Sequence, residues 1–407
     1  MVGVILFPRE SAGLYYAQGM EKSNLGWIHM KQFSVLFLVN DLEFLYTLRL
    51  EMVERLLQEG ADITISAPYK ERASYFKDLG CNYYQTNFSK RGLNPLDNLA
   101  LLYRYYKLVK TINPDIVLTY TIKSNIYGGL ACRLSHTPQL ANMTGLGDGL
   151  MHDNWVQRVV LVLLRMAFRR TKVVFLQNKT NYQYFLDHRI STESQSRLIR
   201  GSGVSLTRHP LEPFPEETDS VRLLFIGRIL RDKGVDELIT AGKIIHQNHP
   251  DFRCDIAGFY VDDTYKTKLA AYEDSGAGSY LGFRTDIHQL IKQYHAIVLP
   301  SYHEGMANVL LEAAACGRPV LASNVPGCRE TFDEGISGIG FEPRSVDALI
   351  KAIEQFIALP LEEKVAMGLA GRRKIENEFN RQIVVDAYMK EIENILEGNK
   401  KKVVRND

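Results

Sequence analysis

FSVLFLVNDLEFLYTLRLEMVERLLQEGADITISAP, residues 33–68, places two apolar runs on either side of a segment with helical spacing. The first run, Phe33–Asn40, is apolar and β-rich, which predicts a buried parallel strand. Thr47–Gly60 is predicted to be a helix that ends at Gly60, and 61–68 is predicted to be another strand. Parallel strands joined by a helix form a right-handed crossover, so the stretch predicts a parallel sheet covered by helices.

The same alternation of strand and helix patterns continues in two blocks. The first block runs to residue 208, and the second starts with the strand pattern Val221–Ile226. Between them, HPLEPFPEETDS at 209–220 has three prolines and several acids, which is typical of a linker. We therefore predict two doubly wound, Rossmann-like α/β domains. Such sheets bind ligands outside the carboxyl ends of their strands, which predicts an active site in the cleft between the domains.

The predicted organisation has five parts. In chain order they are an N-terminal extension at 1–30 that could be disordered, a Rossmann-like domain at 31–208, a linker at 209–220, a second Rossmann-like domain at 221–380, and a C-terminal helix with a basic tail at 381–407, which could pack back on the first domain. The 407 residues, 45% hydrophobic and 24% charged, exclude wholesale disorder and a polytopic membrane protein. Five scattered cysteines without C-x-x-C spacing predict neither a disulfide framework nor a zinc site, and they favour a reducing cytosol.

The small net charge of +2 conceals a difference between the two blocks. Residues 1–210 hold 25 Lys and Arg against 16 Asp and Glu, a net charge of +9, while residues 211–407 hold the remaining 24 against 31, a net charge of −7. The basic first block is therefore a candidate for contact with an anionic polymer or a membrane surface.

LPSYHEGMANVLLE, residues 299–312, combines a strand end, a loop and a helix start. The loop carries Glu304 and Gly305, and the helix pattern begins near Asn308 with Glu312 on its first turns. A helix N-terminus offers free N–H groups and a positive dipole, so a diphosphate can bind there with a carboxylate on either side to hold hydroxyl groups. Each glutamate taken alone is more often an ordinary solvated acid.

FIGRILRDKGVDELI, residues 225–239, is a second strand-to-helix turn. Gly227 lies at the turn, and Arg228 and Lys233 follow it five residues apart. A forked guanidinium and a point charge at this spacing can neutralise a diphosphate from two directions. Taken alone, such a pair is more often just solvated.

Together these motifs resemble glycosyltransferase family 4, retaining nucleotide-sugar transferases of the GT-B fold, over nearly the whole chain from Lys31 onward. Six motifs occur in order: TGLG at Thr144–Gly147, GSGV at Gly201–Val204, GRILRDKG at 227–234, YLGFRTDI at Tyr280–Ile287, a Glu-x7-Glu pair formed by Glu304 and Glu312, and VPGCRE at Val325–Glu330.

The resemblance implies residue roles. Glu304 would approach the hydroxyl groups of the donor sugar and Glu312 the ribose, while Arg228 and Lys233 would bind the diphosphate. Glu304, Arg228 and Lys233 are thus the predicted catalytic residues. The predicted substrate-binding residues are Gly227, Phe283, Arg284, Gly305, Met306, Ala307, Asn308, Val309, Glu312, Arg49, Lys123, Gly145 and Gly147. Phe283 and Arg284 match the place where the family packs the nucleobase, although an ordinary loop contact is an equal alternative.

Within the family, the first block resembles a branch that builds bacterial surface glycans on polyprenyl-diphosphate carriers, of the N-acetylgalactosaminyltransferase type. The matching features are Asn40 and Asp41 with Arg49, SKRGLNP at Ser89–Pro95, and IKSNIYGGLA at Ile122–Ala131. Two departures stand out. NDLEFLYTLR replaces a glycine-rich loop, and Ile122 stands where some relatives have a histidine.

No D-x-D pair and no His/Cys cluster has metal-ligand spacing, so we expect catalysis that needs neither a metal nor another cofactor. The leaving nucleoside diphosphate would then be stabilised by Arg228, Lys233 and the helix N-terminus. Retention is implied by the resemblance. Because the sequence offers no dedicated nucleophile, we favour attack on the same face, with the departing phosphate as base and Glu304 orienting the sugar.

WVQRVVLVLLRMAFRRTK at 155–172 has four arginines among apolar residues, and Tyr103–Lys107 adds aromatic residues beside charge. A basic amphipathic helix suits an anionic headgroup layer, but the apolar residues fit a core-facing stripe equally well. The apolar stretches are too short to span a bilayer.

The expected protein is a bacterial, cytoplasmic, peripherally membrane-associated hexosyltransferase at the inner face of the cell membrane. It would move a sugar, an N-acetylhexosamine or a hexose, from a UDP-sugar to a polyprenyl-diphosphate-linked glycan, and would bind no nucleic acid. The alternatives are an isomerase similar to UDP-sugar 2-epimerases and a non-catalytic sugar-nucleotide-binding protein. A dinucleotide oxidoreductase lacks support, because no G-x-G-x-x-G follows any strand.

Overall fold

Two parallel sheets follow one another along the chain. The structure is a computed structural model that describes residues 33–88, 94–145, 150, 155–216, 220–260 and 262–403. The predicted extension at 1–30 and parts of the linker and tail, at 217–219 and 404–407, lie outside the described residues. Residues 32–407 belong to one compact unit.

The N-terminal half, 33–208, is built on a seven-stranded sheet of order β3-β2-β1-β4-β5-β6-β7. Its strands are β1 Ser34–Leu38, β2 Asp62–Ala67, β3 Asn82–Gln85, β4 Ile116–Tyr120, β5 Gln139–Met143, β6 Val173–Leu176 and β7 Ser196–Leu198. Its helices are α1 Leu42–Gln58, α2 Arg72–Asp78, α3 Pro95–Ile112, α4 Gly129–Ser135, α5 Trp155–Phe168 and α6 Lys179–Asp187. A π-helical turn, Ser124–Gly128, leads into α4.

The C-terminal half, 220–380, is built on a five-stranded sheet of order β12-β11-β10-β8-β9. Its strands are β8 Arg222–Ile226, β9 Arg253–Ala257, β10 Ala296–Leu299, β11 Val320–Ser323 and β12 Gly338–Phe341. Its helices are α7 Val235–Asn248, α8 Thr264–Glu273, α9 Ile287–Ile291, α10 Asn308–Ala315, α11 Val346–Ala358 and α12 Leu361–Lys374. The last helix, α13, is Arg381–Val403.

Local sequence explains where several helices begin. The Asp41 carboxylate accepts a hydrogen bond from the Glu43 amide at 3.0 Å and caps α1. Asn94 caps α3 in the same way, with Pro95 at the first helical position, where a missing N–H costs nothing. Ser345 caps α11 through the Ala348 amide. These short polar side chains satisfy amide groups that have no partner inside the helix.

The strands pair in parallel, as the buried apolar runs predict. In the first sheet, β1 pairs with β2 from Ser34–Asp62 to Leu38–Ser66, and every residue from Val35 to Leu38 is buried. Continuous burial requires helices on both faces, since alternate residues of a strand point to opposite sides. The fold is therefore the doubly wound arrangement expected from residues 33–68.

The last helix belongs to the N-terminal half. Tyr388 on α13 stacks on Phe175 with ring centroids 4.0 Å apart, and its hydroxyl accepts a hydrogen bond from Asn142 at 2.7 Å. Arg197 pairs with Glu391 at 2.6 Å. The chain thus returns to its first sheet after completing the second.

The two places where the chain passes between the halves lie side by side. The Val204 amide donates to the Phe379 carbonyl at 2.8 Å, and the Arg381 amide donates to the Val204 carbonyl at 3.0 Å. Arg381 also pairs with Glu51 on α1 at 2.9 Å. The first and second crossings are therefore hydrogen-bonded to each other.

Several details differ from the predicted elements, and α1 begins at Leu42 rather than at Thr47. The exposed edge strand β3 and the glycine-containing strand β12 were not expected, because neither is a continuous apolar run. The predicted strand at 279–281 forms only an isolated bridge between Ile256 and Tyr280. Gly282, at φ 67°, turns the chain away directly afterwards. In the described part of the chain, no helix is both long and apolar enough to cross a bilayer.

Candidate active site

Two loops meet at the point where the strand order of the second sheet reverses. Strands β8 and β10 are neighbours in the sheet although β9 separates them in sequence. The loop after β8 carries Gly227, Arg228 and Lys233, and the loop after β10 carries Glu304 and Gly305. In doubly wound sheets ligands bind at such a reversal, beyond the carboxyl ends of the strands. The two motifs found in the sequence therefore lie on either side of one crevice.

Lys233 and Glu304 form an ion pair across this crevice. Ser301 donates a hydrogen bond to the same Glu304 oxygen at 2.8 Å. Only 17% of the Lys233 side chain and 13% of the Glu304 side chain are exposed, so the pair is largely shielded from water. Shielding strengthens the pairing, and it also holds the carboxylate in one position.

Gly234 allows this approach. It sits at φ 68°, and a Cβ there would lie 2.1 Å from the carbonyl oxygen of Pro300. Only glycine fits this contact between the two loops. Gly227 lies in a similarly tight turn, since its carbonyl oxygen would be 1.8 Å from a Cβ at Gly258.

Arg228 directly follows Gly227 in the loop after β8. Its side chain is exposed, and no ion pair joins it to a residue of the described part of the chain. A solvated guanidinium can be drawn to an incoming anion without first leaving a carboxylate. Lys233 is thus held in an ion pair, whereas Arg228 has no ion-pair partner among the described residues.

The N-terminus of α10 completes the crevice. No side chain caps this helix, whose first residues are Asn308 and Val309. Ala307, just before it, is buried and donates its amide to the Gly327 carbonyl at 2.8 Å. The Asn308 Oδ1 atom is buried and has no hydrogen-bond partner in the residues that the structure describes. Uncapped amides at a helix N-terminus form a site for an anion.

Glu312 lies one turn further along α10. Burial raises the pKa of Glu312 to about 7, and the nearby Arg381 guanidinium acts in the opposite direction. Because residues four apart share one side of a helix, Glu312 lies on the same side as Asn308. The sequence predicted this glutamate beside the helix N-terminus, and the structure places it there.

The loop after β10 touches the N-terminal half. A Cβ at Gly305 would lie 2.1 Å from the Thr144 carbonyl oxygen and 3.3 Å from the Gly145 Cα atom. Asn178 donates its side-chain amide to the Gly305 carbonyl at 2.7 Å. Thr144 and Gly145, the described residues of the TGLG motif, therefore meet Gly305 across the cleft.

Met306 makes a second contact across the cleft. Gly201, at φ 65°, faces Met306 so closely that a Cβ would lie 2.4 Å from its Cγ atom. The GSGV motif thus provides room for a side chain of the opposite half. Sequence reasoning missed Asn178 and Ser301, for which the only signal was a polar residue directly after a buried strand.

Phe283 and Arg284 lie in the loop after Gly282. Phe283 is 67% exposed and touches Phe259 edge to face, with ring centroids 6.0 Å apart. Arg284 is paired with Asp286, and this hydrogen-bonded pairing raises the pKa of Arg284. An exposed aromatic pair beside the β8 loop is a surface on which a planar base could stack.

Arg49 is placed differently from the expectation. It is only 2% exposed, and its guanidinium lies within 6 Å of the ring centroids of Phe44, Tyr120 and Tyr388. Its Nε and Nη2 atoms are buried without hydrogen-bond partners among the described residues. The expectation of substrate contact came from the resemblance to the lipid-linked branch of the family, and in the structure α13 covers this arginine. Lys123 is partly exposed, and Gly147 lies outside the described residues.

Among the described residues, one group of His, Cys, Asp or Glu is arranged to hold a metal ion: His209, His288 and Cys316. It contains neither Lys233 nor Glu304. The crevice itself is built from a paired lysine and glutamate, an exposed arginine and a helix N-terminus. This combination can hold a diphosphate and orient a neighbouring hydroxylated ring.

Two family models match the two halves. Residues 34–178 match the Glycosyl transferase 4-like model, and residues 211–374 match the model of Glycosyl transferases group 1. Among curated proteins, the chain is 25% identical over 380 residues to the N,N'-diacetylbacillosaminyl-diphospho-undecaprenol alpha-1,3-N-acetylgalactosaminyltransferase of Campylobacter jejuni, covering 87% of this chain and 96% of that enzyme. It is 24% identical to the UDP-Gal:alpha-D-GlcNAc-diphosphoundecaprenol alpha-1,3-galactosyltransferase of Escherichia coli, covering 71% and 78%.

Solved structures share the same fold. A glycosyltransferase from Rickettsia africae matches with a TM-score of 0.73 at 19% identity, over 90% of this chain and 99% of that one. Anabaena HepE, in complex with UDP and glucose, matches with a TM-score of 0.71 at 16% identity, over 89% of this chain and 100% of that one. The expected GT-B arrangement of two Rossmann-like sheets is confirmed.

Proposed function

Since this chain is a glycosyltransferase of the GT-B fold and fits glycosyltransferase family 4, we propose that it transfers a sugar from a UDP-sugar to a polyprenyl-diphosphate-linked saccharide during bacterial surface glycan synthesis. The observation that carries the proposal is the crevice where Lys233, Glu304 and the α10 N-terminus converge beside the N-terminal half. The donor sugar would be an N-acetylhexosamine or a hexose.

The donor would bind to the C-terminal half. Its diphosphate would lie against the α10 N-terminus, with Arg228 on the open side and Lys233 on the other. A bound diphosphate would compete with Glu304 for the Lys233 ammonium group. The released Glu304 carboxylate could then accept hydrogen bonds from the sugar hydroxyl groups, and Glu312 from the ribose. UDP in the related Anabaena complex supports a uridine nucleotide as the donor.

The acceptor would approach from the N-terminal half. Two relatives act, by their names, on diphospho-undecaprenol-linked saccharides, and one of them aligns with 87% of this chain. The loops after β5, β6 and β7 carry Gly145, Asn178 and Gly201 to the cleft. An acceptor hydroxyl placed here would face the donor sugar over the Gly305 loop.

We favour retention without a metal ion. The bond between the sugar C1 and the diphosphate oxygen breaks, the acceptor oxygen bonds to C1 from the same face, and the acceptor proton passes to the departing diphosphate. Lys233, Arg228 and the α10 amides would stabilise the negative charge that develops on this leaving group. Glu304 would orient the sugar without donating a proton.

One surface of the N-terminal half supports attachment to an anionic bilayer. Trp155, Val159, Val162 and Met166 are all exposed and recur every three or four residues, so they line one side of α5. We call these four residues the α5 stripe. Leu161 and Leu164 of the same helix are buried. The interpretation as a core-facing stripe therefore applies to these two leucines, and the interpretation as a membrane-facing surface applies to the α5 stripe.

Exposed arginines accompany the α5 stripe. Arg158 and Arg165 lie on α5, and Arg169 and Arg170 follow its last residue. On the same side of the sheet, α3 exposes Leu96, Leu99 and Tyr103. Apolar side chains with a cationic border match the headgroup region of an anionic membrane, where each cation contributes about 1 kcal/mol. A bilayer surface is also where a polyprenyl-linked acceptor resides.

The experiment is a transfer assay with a panel of UDP-sugars and short-chain polyprenyl-diphosphate saccharides, with products identified by mass spectrometry and the anomeric configuration by NMR. An α-linked product from an α-linked donor, formed in the presence of freshly added EDTA, supports the proposal. An inverted linkage contradicts retention. Release of an epimerised free sugar nucleotide without acceptor favours an isomerase, and donor binding without any turnover favours a binding protein.

A further inference from the structure

A second site lies where the segment after the first crossing meets the C-terminal half. His209 and Glu212 belong to that segment, His288 lies on α9, and Cys316 follows the last residue of α10. Each of His209, His288 and Cys316 offers one ligand atom, and these atoms lie within 4.8 Å of one another. Three residues that are distant in sequence, the outer two 107 positions apart, are thus brought to one point.

The separations suit a small transition-metal ion. The Cys316 Sγ atom lies 3.3 Å from the His288 Nδ1 atom. In a tetrahedral zinc site, with Zn–S about 2.3 Å and Zn–N about 2.05 Å, these two atoms would be about 3.6 Å apart. Small side-chain rotations would therefore bring the ligands into place.

The histidines have the environment that metal-binding imidazoles require. The other ring nitrogen of His288, Nε2, lies 2.6 Å from the Glu212 carboxylate, which would fix the tautomer that leaves Nδ1 free to bind a metal. Within the described part of the chain, the Nδ1 atom of His209 is buried without a hydrogen-bond partner. An unused buried nitrogen is costly unless something binds it.

Two arginines hold the surrounding backbone in place. Arg318 is fully buried and donates to the carbonyl groups of Glu212 and Pro213, at 3.2 and 2.5 Å. Arg372 donates to the carbonyls of His209 and Ala315, at 3.1 and 2.6 Å. The segment after the first crossing and the end of α10 are therefore held next to each other by Arg318 and Arg372, which are not members of the cluster.

We propose that His209, His288 and Cys316 form a structural site for a thiolate- and imidazole-preferring divalent metal, with zinc as the expected ion. On binding, the Cys316 thiol releases its proton to solvent, and the metal links the segment between the halves to α9 and α10. Water supplies the fourth ligand, while the Glu212 carboxylate stays hydrogen-bonded to His288 Nε2. Soft sulfur and imidazole ligands select zinc over magnesium or calcium. The site contains no residue assigned to the transfer reaction.

The test uses the full chain, produced with added zinc and freed of any affinity tag. Elemental analysis of the wild type should give about one zinc per chain, and exchange for Co²⁺ should give a thiolate-to-cobalt charge-transfer band with intense tetrahedral d–d bands. Cys316→Ser and His288→Gln should lose zinc about tenfold or more, whereas Cys81→Ser, a buried cysteine outside the cluster, should retain it. Addition of EDTA should lower the melting temperature of the wild type and leave that of Cys316→Ser unchanged.

Zinc at background level in the wild type, together with no cobalt–thiolate band, would overturn the proposal. Because both readouts use the wild type, they stand even where a variant fails to fold. Zinc content is measured without donor or acceptor, so a chain that holds zinc but transfers no sugar supports this site while contradicting the proposed reaction.

Discussion

Lys233 and Glu304, 71 residues apart in sequence, are joined by an ion pair at the carboxyl edge of the second sheet. Both belong to loops that follow neighbouring strands, and Gly234 permits the close approach. The residue expected to hold the diphosphate is thus already bound to the residue expected to hold the sugar. Donor binding would replace this ion pair with a contact of Lys233 to the diphosphate and a contact of Glu304 to the sugar.

Lys233→Ala and Arg228→Ala should each reduce the transfer rate about 100-fold, because each removes a charge that stabilises the leaving diphosphate. The measurement is kcat/KM with the preferred UDP-sugar. Lys266→Ala, an exposed lysine on α8, is the matched control and should change nothing. Rates within about threefold of the wild type for both active-site variants would show that the diphosphate role is wrong.

Glu304→Gln should separate binding from turnover. The amide keeps the size of the side chain but loses the charge that orients the sugar, so kcat should fall about tenfold to 100-fold. UDP affinity, measured by calorimetry, should stay equal or rise, because Lys233 no longer has a carboxylate partner. Glu363→Gln, an exposed acid on α12, serves as the control. A lower UDP affinity with an unchanged kcat would contradict the orienting role.

Glu312→Gln should alter the pH dependence of stability. Burial raises the pKa of Glu312 from its ordinary 4.5 to about 7. Between these two pH values the folded state keeps the Glu312 proton while the unfolded state loses it, so the free energy of unfolding falls as the pH rises. The glutamine variant avoids this loss. At pH 8 it should be more stable by about 1–2 kcal/mol, and at pH 4.5 it should match the wild type. Melting temperatures at the two pH values provide the check; equal differences at both would contradict the prediction.

Gly305→Ala should damage the contact between the halves. The new Cβ would lie 2.1 Å from the Thr144 carbonyl oxygen, a backbone atom that cannot rotate away. We expect transfer to fall at least tenfold and stability to fall by about 1–3 kcal/mol. Gly398→Ala on α13, which has open space, is the control and should be neutral or slightly stabilising. Normal activity in Gly305→Ala would mean that the halves need not approach so closely.

Substitutions in the α5 stripe should weaken membrane binding. Trp155→Gln with Val162→Gln removes apolar surface that would enter the headgroup layer, so the fraction bound to phosphatidylglycerol vesicles should fall about tenfold. Ile336→Gln, at an exposed isoleucine of the C-terminal half, should bind like the wild type. Binding that is equal in all three proteins, or absent from the wild type, would contradict the proposed surface.

The sequence predicted the strands that are buried on both faces, because their apolar runs are continuous. It did not predict β3, whose tyrosines and polar residues suit an exposed edge, or β12, where glycine interrupts the apolar pattern. These strands are determined by their neighbours in the sheet, and no local signal marks them.

Local sequence patterns also predict only part of the candidate active site. Glu304 and Lys233 were found because each sits in a motif with a local physical reason. The burial of Arg49 was not predicted, because its environment includes Tyr388, more than 300 residues away, which no local pattern reveals. The His209, His288 and Cys316 cluster was missed for the same reason, since its three ligands share no spacing in the sequence.

The paired crossings at Val204 and Asn380 determine how the protein can move and how it can be divided. Two chain segments hydrogen-bonded side by side allow the halves to rotate about a single line, whereas a lone linker would permit twisting in any direction.

The two crossings also mean that cutting the chain at the linker would not produce two intact domains. The first fragment would lack Tyr388 and the rest of α13, so its aromatic core would be open to solvent and the two fragments would need each other to fold.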